Sequence, residues 1–130
     1  MNAFIVDLEN RPGLLAGLAE SIAARGINIT AVAAATATDR GQVAVLTDDE
    51  EGTRSALDDA GVTFRTCRVV SAALEHRPGS LADAARRLAT AGINVEAMLV
   101  TGLEADRVTV AFAVDDADGA RAALGDLARA

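Results

Sequence analysis

An eight-residue phrase occurs twice in this chain of 130 residues, and the two occurrences start 66 positions apart. Glu9–Ala16 reads ENRPGLLA and Glu75–Ala82 reads EHRPGSLA. A gap-free comparison of Glu9–Ile29 with Glu75–Val95 gives identity at 11 of 21 positions, including a shared Gly-Ile-Asn. Self-similarity this dense indicates two copies of one small structural unit.

The repeat places one unit at residues 1–66 and the second at residues 67–130. A chain of about 65 residues buries only ~60% of the surface that it exposes when unfolded, so it is marginal alone. We therefore expect the two copies to share an interface and to fold as one body.

The start of each unit predicts a strand, a tight turn and a helix. Ala3–Leu8 alternates with the period of a strand, and Arg-Pro-Gly then breaks it, with Pro12 suited to the first helical position. Apolar residues recur at helical spacing over Leu15–Ile22. The alanine-rich segment Ile29–Thr38 has helical propensity, but its counterpart Val95–Thr101 is typical of a strand, so we predict a strand for both.

The remainder of each unit predicts a returning strand, at Gln42–Thr47 and Arg107–Val114, and then a second helix. The Asp-Asp pairs that begin at Asp48 and at Asp115 are placed to cap these helices. Val62–Thr66 is a final strand. The fold class is therefore α+β: two ferredoxin-like βαββαβ units, each with an antiparallel sheet and its helices on one face.

The second unit is expected to lack its last strand. The chain ends at Ala130, directly after a helix whose apolar positions run to Leu127. An open sheet edge invites pairing, so either Val62–Leu74 serves both sheets or a second chain covers the gap. We predict a homodimer.

Composition excludes several classes of partner. The net charge is −7 and every one of the 12 basic residues is arginine, without a basic cluster, which disfavours nucleic acids and anionic membranes. The longest uncharged stretch, Gly26–Thr38, is too short to span a bilayer, and the N-terminus does not have the pattern of a signal peptide. A soluble cytoplasmic protein is expected.

The chain is poor in groups for catalysis. It has one histidine, one cysteine, no lysine and no tyrosine, so we predict that it is not an enzyme and uses no cofactor. Cys67 is predicted to be a buried small hydrophobic residue. The acidic groups at Asp48–Glu51 and Asp115–Asp118 are typical of helix starts and do not have the spacing of a calcium loop, so no metal site is predicted.

The strand, the Arg-Pro-Gly-x-Leu-Ala phrase, the helix and the Gly-Ile-Asn segment together resemble the ACT domain, over Ala3–Thr66 and Val69–Ala128. The resemblance implies a small-ligand regulatory module that binds an amino acid at the interface between paired units. Contacts are implied from the strand–helix turn and from the start of the second strand. The implied ligand-binding residues are Asn10, Gly13, Leu14, Leu15, Asn28, Ile29, His76, Gly79, Ser80, Leu81, Asn94 and Val95.

The chemistry of these residues agrees with a zwitterionic ligand, although each has a structural alternative. The first turn of a helix offers free N–H groups and a positive dipole end to a carboxylate. Pro-Gly alone is also an ordinary strand-to-helix turn, and Asn10 alone is a common helix cap. Asn28 and Asn94 are equally consistent with hydrogen bonds to nearby loops.

The leading hypothesis is a non-enzymatic amino-acid-binding regulator in which the ligand changes assembly or partner binding. The alternative is a ligand-independent subunit of an amino-acid biosynthetic enzyme. The copies differ at Asn10/His76 and at Leu14/Ser80, so either the two turns contact different parts of one ligand or only one turn is competent.

Overall fold

The computed structural model describes Met1–Arg129. Its packing divides the chain into two compact units. The N-terminal unit is Ala3–Thr66, and the C-terminal unit is Met1–Asn2 together with the described chain from Cys67 onward. Each unit is described by itself below.

The strands and helices follow the predicted order from the first strand to the fourth helix. The first six elements are β1 (Asn2–Glu9), α1 (Leu14–Ala23), β2 (Ile29–Ala37), β3 (Arg40–Thr47), α2 (Glu50–Ala60) and β4 (Thr63–Glu75). The remaining elements are α3 (Ser80–Thr90), β5 (Val95–Glu104), β6 (Arg107–Val114), α4 (Ala117–Leu124) and β7 (Ala128–Arg129), with a short 3₁₀ turn at Gly125–Leu127. Over the described residues, no helix combines the length and the hydropathy needed to cross a bilayer.

The N-terminal unit has the strand order β2-β3-β1-β4, and β3 pairs antiparallel with both β1 and β2. The strand predicted for the alanine-rich segment is confirmed as β2. One face of β1 contributes Phe4 and Val6 to a core against helices α1 and α2. The other members of this core are Leu18, Ile22, Ile27, Val43, Val45 and Leu57.

The C-terminal unit repeats this arrangement. β6 pairs antiparallel with β4 and with β5, and the core lies between these strands and helices α3 and α4. The α+β class and the two ferredoxin-like units are therefore confirmed. β4 is 13 residues long and supplies the last strand of one unit and the first strand of the other.

The end of the C-terminal unit differs from the sequence prediction. No last strand was expected there, yet the two-residue strand β7 pairs antiparallel with β4, with Ala128 opposite Ala72 and Arg129 opposite Ser71. The predicted helix also ends earlier, at Leu124, because Gly125 takes a positive φ of 56° and a 3₁₀ turn redirects the chain. Leu127 still packs against the core, from this turn instead of from the helix.

The two aspartates of each Asp-Asp pair accept hydrogen bonds from different backbone amides. Asp49 caps α2 by accepting from the amide of Gly52 at 2.9 Å, and Asp116 caps α4 through Gly119 at the same distance. The predicted caps are thus confirmed for the second aspartate of each pair. The first aspartate accepts instead from the amide at the end of the preceding Gly-Ile-Asn segment, again at 2.9 Å.

The large aromatic of each core sits on a different strand in the two units. In the N-terminal unit, Phe4 of β1 lies opposite Val45 of β3. In the C-terminal unit the order is reversed, since Val70 of β4 lies opposite Phe112 of β6. All four side chains are buried in their cores. Both units therefore contain a facing pair of phenylalanine and valine, but the two residues have exchanged strands.

Cys67 is buried and its thiol donates to the carbonyl of Val114 at 3.2 Å. The prediction of a buried, non-disulfide cysteine is confirmed.

Candidate functional site

Both copies of the Arg-Pro-Gly turn have the same backbone geometry. Gly13 and Gly79 each take φ +91°, a left-handed conformation that favours glycine, and each is the N-terminal cap of the following helix. Proline was predicted at the first helical position, but the helices begin two residues later, at Leu14 and Ser80. The left-handed glycine between proline and helix is the physical reason for that shift.

Helices α1 and α3 begin without a side-chain cap, in contrast to α2 and α4, which are capped by aspartates. The amides of Leu14 and Ser80 make long contacts of 3.5 and 3.4 Å with the carbonyls of Arg11 and Arg77. The first intrahelical bonds are donated by Gly17 and Asp83, as expected for helices whose preceding amides have no partner in the helix. The turns therefore present backbone donors at the positive end of a helix dipole.

The residue between Glu and Arg ties each turn to the neighbouring hairpin. The amide of Asn10 donates to the carbonyl of Asp39 at 2.7 Å, and the amide of His76 donates to that of Asp106 at 2.6 Å. The side-chain amide of Asn10 also donates to the carbonyl of Thr38 at 2.9 Å. Asn10 thus holds the hairpin and does not cap α1.

A cleft of about 540 Å³ lies beside the turn of the C-terminal unit. Its apolar wall comes from three strands and includes buried Leu74 and Val110 and half-buried Met98 and Val108. Its rim is the turn itself. The residues that line it are Leu74, Glu75, His76, Arg77, Pro78, Gly79, Ser80, Leu81, Met98, Val100, Val108 and Val110.

The corresponding place in the N-terminal unit holds a much smaller cleft, of about 170 Å³. It lies against the same turn and the equivalent strands. Its lining residues are Leu8, Glu9, Asn10, Arg11, Leu14, Leu15, Ala34, Ala35, Thr36, Gly41, Gln42 and Val43. A separate groove of about 350 Å³ at the hairpin of β2 and β3 shares Ala35, Thr36, Gly41 and Gln42 with this cleft but does not include the turn.

The sequence model of the family described as the ACT domain pair matches residues 1–126. The chain belongs to the ACT domain-pair family. A match of this extent places both copies of the repeat within one family unit, in agreement with the resemblance carried by the two Arg-Pro-Gly turns. Among curated proteins, no sequence matches this ACT domain pair.

Several solved structures share the fold of this ACT domain pair. Protein BT0572 from Bacteroides thetaiotaomicron superposes with a TM-score of 0.80 at 24% identity, over 98% of this chain and 91% of that one. The ligand-free regulatory subunit of aspartate kinase from Thermus thermophilus gives 0.68 at 20% identity, over 97% and 91%. The same subunit from Thermus flavus gives 0.66 at 18% identity, over 95% and 90%.

Not all of the predicted ligand-binding residues of this ACT domain pair lie together. The N-terminal cleft is lined by Asn10, Leu14 and Leu15, and Gly13 sets the turn beside it. The C-terminal cleft is lined by all four predicted residues of its turn, namely His76, Gly79, Ser80 and Leu81.

The residues predicted at the start of the second strands lie outside the lining of both clefts. These are Asn28, Ile29, Asn94 and Val95. The backbones of Asn28 and Asn94 pair with Asp48 and Asp115. The side-chain amide of Asn94 donates to Glu96 at 3.0 Å. The side-chain bond of Asn94 is thus local, whereas the contacts described for Asn28 are those of its backbone.

Sequence reasoning missed the strand residues that form the wall of the C-terminal ACT cleft. Val108 and Val110 alternate along β6, so the period-2 pattern of that strand already placed them on one face. Met98 and Val100 are related in the same way along β5. Their alternation marks a shared face, but it does not distinguish a filled core from an open cleft.

The charges on the rim are paired with each other. Arg77 donates through Nε to Glu75 at 2.5 Å, and Arg11 makes the same bond to Glu9 at 3.1 Å. The hydrogen bond and charge of Arg77 hold the pKa of the Glu75 carboxyl below its ordinary value, and the charge of Arg107 adds to the effect. The pKa of Arg77 is raised by the same pairing. A ligand therefore meets a rim whose two charges compensate each other.

Among the described residues, no three His, Cys, Asp or Glu side chains are placed to hold a metal ion. The arrangement instead combines backbone donors, a hydroxyl, an imidazole and an apolar wall. These groups are suited to reversible binding of a small amphipathic molecule.

Proposed function

We propose that this ACT domain pair is a non-enzymatic regulatory protein that binds a free amino acid at the Arg-Pro-Gly turn. The observation that carries the proposal is the cleft of about 540 Å³ beside the uncapped start of α3. Clefts of roughly 300–1,000 Å³ with apolar walls and a few polar groups are typical of small-molecule sites. This cleft has that size and that composition.

The two ends of an amino acid match the two parts of the cleft. The α-carboxylate suits the first-turn amides of α3, which follow the left-handed Gly79 and have no side-chain cap. The ammonium requires hydrogen-bond acceptors. Apart from Glu75 and Arg77, which bond to each other, the polar side chains of the rim are those of Ser80 and His76, and the hydroxyl oxygen and the imidazole nitrogen can both accept. The ligand's side chain lies on the wall formed by the strands.

Regulation follows if the bound and free forms differ in their affinity for a partner or a second chain, because a ligand shifts an equilibrium only by its differential affinity. An amino-acid metabolic enzyme is the partner class that we propose. The two Thermus proteins of the same fold, each named as a regulatory subunit of aspartate kinase, support that choice.

Thermal unfolding in the presence of each of the common amino acids tests ligand binding. We expect one chemical group of amino acids to raise the midpoint by several degrees, because occupancy at 100 times the dissociation constant adds about 2.7 kcal/mol to the free energy of unfolding. Calorimetric titration then gives the affinity. The corresponding D-amino acid serves as the control, and a flat response to the whole panel would contradict the proposal.

A flat response would favour a second candidate function, that of a ligand-independent interaction subunit. The small cleft of the N-terminal unit, at about 170 Å³, supports this alternative because it falls below the usual size of a ligand site. In that case the turns act only as structural connections.

We propose that the protein forms a homodimer, through a different sheet edge from the one that the sequence suggested. The open edge expected at the end of the C-terminal unit is partly covered by β7. β2 is instead the outer strand of the N-terminal unit, and its nine residues include no charged residue and no proline. Protected edges normally carry such residues, so an unprotected edge of this length favours pairing with a second copy.

Light scattering on the intact protein tests the dimer and its edge. We expect twice the 13.2 kDa chain mass, and we expect the single-chain mass after Val32→Lys, because a charge at an exposed edge position disfavours strand pairing. Leu103→Lys, on the outer strand of the C-terminal unit, is the matched control. A monomeric parent protein, or dissociation by Leu103→Lys alone, would contradict pairing through β2.

A further inference from the structure

We infer that the two Arg-Pro-Gly turns are functionally unequal: only the C-terminal cleft admits a ligand, and that ligand carries an uncharged aliphatic side chain. This inference rests on the proposed function and specifies its site and its ligand class. It starts from the threefold difference in volume between equivalent clefts, about 540 Å³ against about 170 Å³.

The strands do not explain the difference in volume. Register places Val108 opposite Leu74 and Val110 opposite Val100 in the C-terminal unit. The same positions in the N-terminal unit hold Gly41 opposite Leu8 and Val43 opposite Ala34. The C-terminal wall therefore carries the larger side chains, and on that basis alone its cleft would be the smaller one.

The residue that starts each helix accounts for the larger volume of the C-terminal cleft. Leu14 starts α1 and lines the N-terminal cleft, whereas Ser80 occupies the same position in α3 and lines the C-terminal cleft. Both residues are half-buried beside their clefts, and the side chain of leucine is the larger of the two. Leucine thus fills the space that serine leaves open.

The wall of the C-terminal cleft selects an aliphatic ligand. It contains Leu74, Met98, Val100, Val108 and Val110, without an aromatic ring or a charged group. A ligand side chain with a charge would lose hydration there without gaining a partner, since the two charges of the rim are bonded to each other.

One wall residue and one rim residue expose apolar side chains that a bound ligand would cover. Val100 is 59% exposed and Leu81 is 45% exposed. An aliphatic ligand side chain covers both, and the burial of apolar surface supplies the binding free energy. In the N-terminal unit, Ala34 stands in place of Val100 and offers less apolar surface to cover.

Calorimetric titration of the intact protein with L-leucine tests the inference, with L-lysine and L-aspartate as charged probes. We expect one leucine per chain and at least about tenfold weaker binding of both charged probes. Two leucines per chain, or tighter binding of either charged probe, would overturn the inference while leaving amino-acid binding intact. Absence of binding by any amino acid would instead overturn the proposed function.

Reciprocal exchange of the two helix-start residues locates the site. Ser80→Leu should weaken leucine binding by at least about tenfold, because it places in the C-terminal cleft the side chain that fills its counterpart. Ser80→Ala removes the hydroxyl without filling space and should change affinity by less than Ser80→Leu does. Leu14→Ser should retain the binding seen in the parent protein.

Circular dichroism and the unfolding midpoint establish that each variant is folded before titration. Parent-like binding by folded Ser80→Leu, or loss of binding in folded Leu14→Ser, would overturn the assignment to the C-terminal cleft. If Ser80→Leu does not fold, Val100→Asp provides the second test, since an exposed position tolerates the change and the added carboxylate should abolish leucine binding.

Discussion

Replacing Phe112 by alanine should lower the free energy of unfolding by about 3–5 kcal/mol. The side chain is only 2% exposed and packs in the C-terminal core with residues of α3 and α4. Its truncation removes the largest apolar group of that core and leaves a cavity that the surrounding helices fill only in part. Domains of this size are stable by roughly 5–15 kcal/mol, so this loss is a large fraction of the total.

Urea denaturation followed by circular dichroism measures this loss. Leu103→Ala is the control, because its side chain is 67% exposed and surface substitutions usually change stability by no more than about 0.5 kcal/mol. A loss below about 1.5 kcal/mol for Phe112→Ala would show that the ring is not a main element of the core.

The exchanged cross-strand pair gives the second prediction. Val70→Phe alone should destabilise by roughly 1–3 kcal/mol through overpacking, and Phe112→Val alone should destabilise by about 2 kcal/mol or more through a cavity. The double variant should cost clearly less than the sum, because it reproduces in the C-terminal unit the arrangement that Phe4 and Val45 already adopt in the N-terminal unit.

A double-mutant cycle in urea measures the coupling between these two positions. Contacting residues commonly show interaction energies of 0.5–3 kcal/mol, and we expect about 2 kcal/mol or more in the favourable direction here. The same exchange at Ala73 and Thr109, which are also opposite each other on β4 and β6, provides the matched control without a large change of volume. Additivity at Val70 and Phe112 would mean that the helices, and not the facing strand, determine which side chain fits.

The repeat made much of the fold predictable. The alanine-rich β2 shows why: its intrinsic propensity is helical, but the comparison with Val95–Thr101 identified it as a strand, and the structure agrees. The caps at Asp49 and Asp116 were predictable for a local reason, since a capping bond spans only three residues.

Features that depend on long-range packing were not predictable in the same way. β7 is two residues long, too short for any periodic signal, and it forms only because Gly125 turns the chain back beside β4. The placement of Asn28 depends on Asp48, 20 residues away, which accepts its amide.

The turn residues of the candidate site were predictable from the sequence, but the size of its cleft was not. The turn residues His76, Gly79 and Ser80 were identified from the motif, and they line the larger cleft. The size of that cleft was not predictable, because it depends on how the residue that starts each helix packs against strands that lie far away along the chain. Comparison of the two copies showed that Leu14 and Ser80 differ, but only the cleft volumes indicate which of the two turns has room for a ligand.

The reversed aromatic pair also has a genetic consequence. Recombination between two repeats most readily joins them inside their shared segment, here Glu9–Ile29 with Glu75–Val95, which lies after the first core strand and before the third. One product would unite Phe4 with Phe112 and crowd two rings into one core, and the other would unite Val70 with Val45 and leave it hollow. Unequal crossover within this segment should therefore yield products with less stable cores, which favours inheritance of the two repeats as a fixed pair.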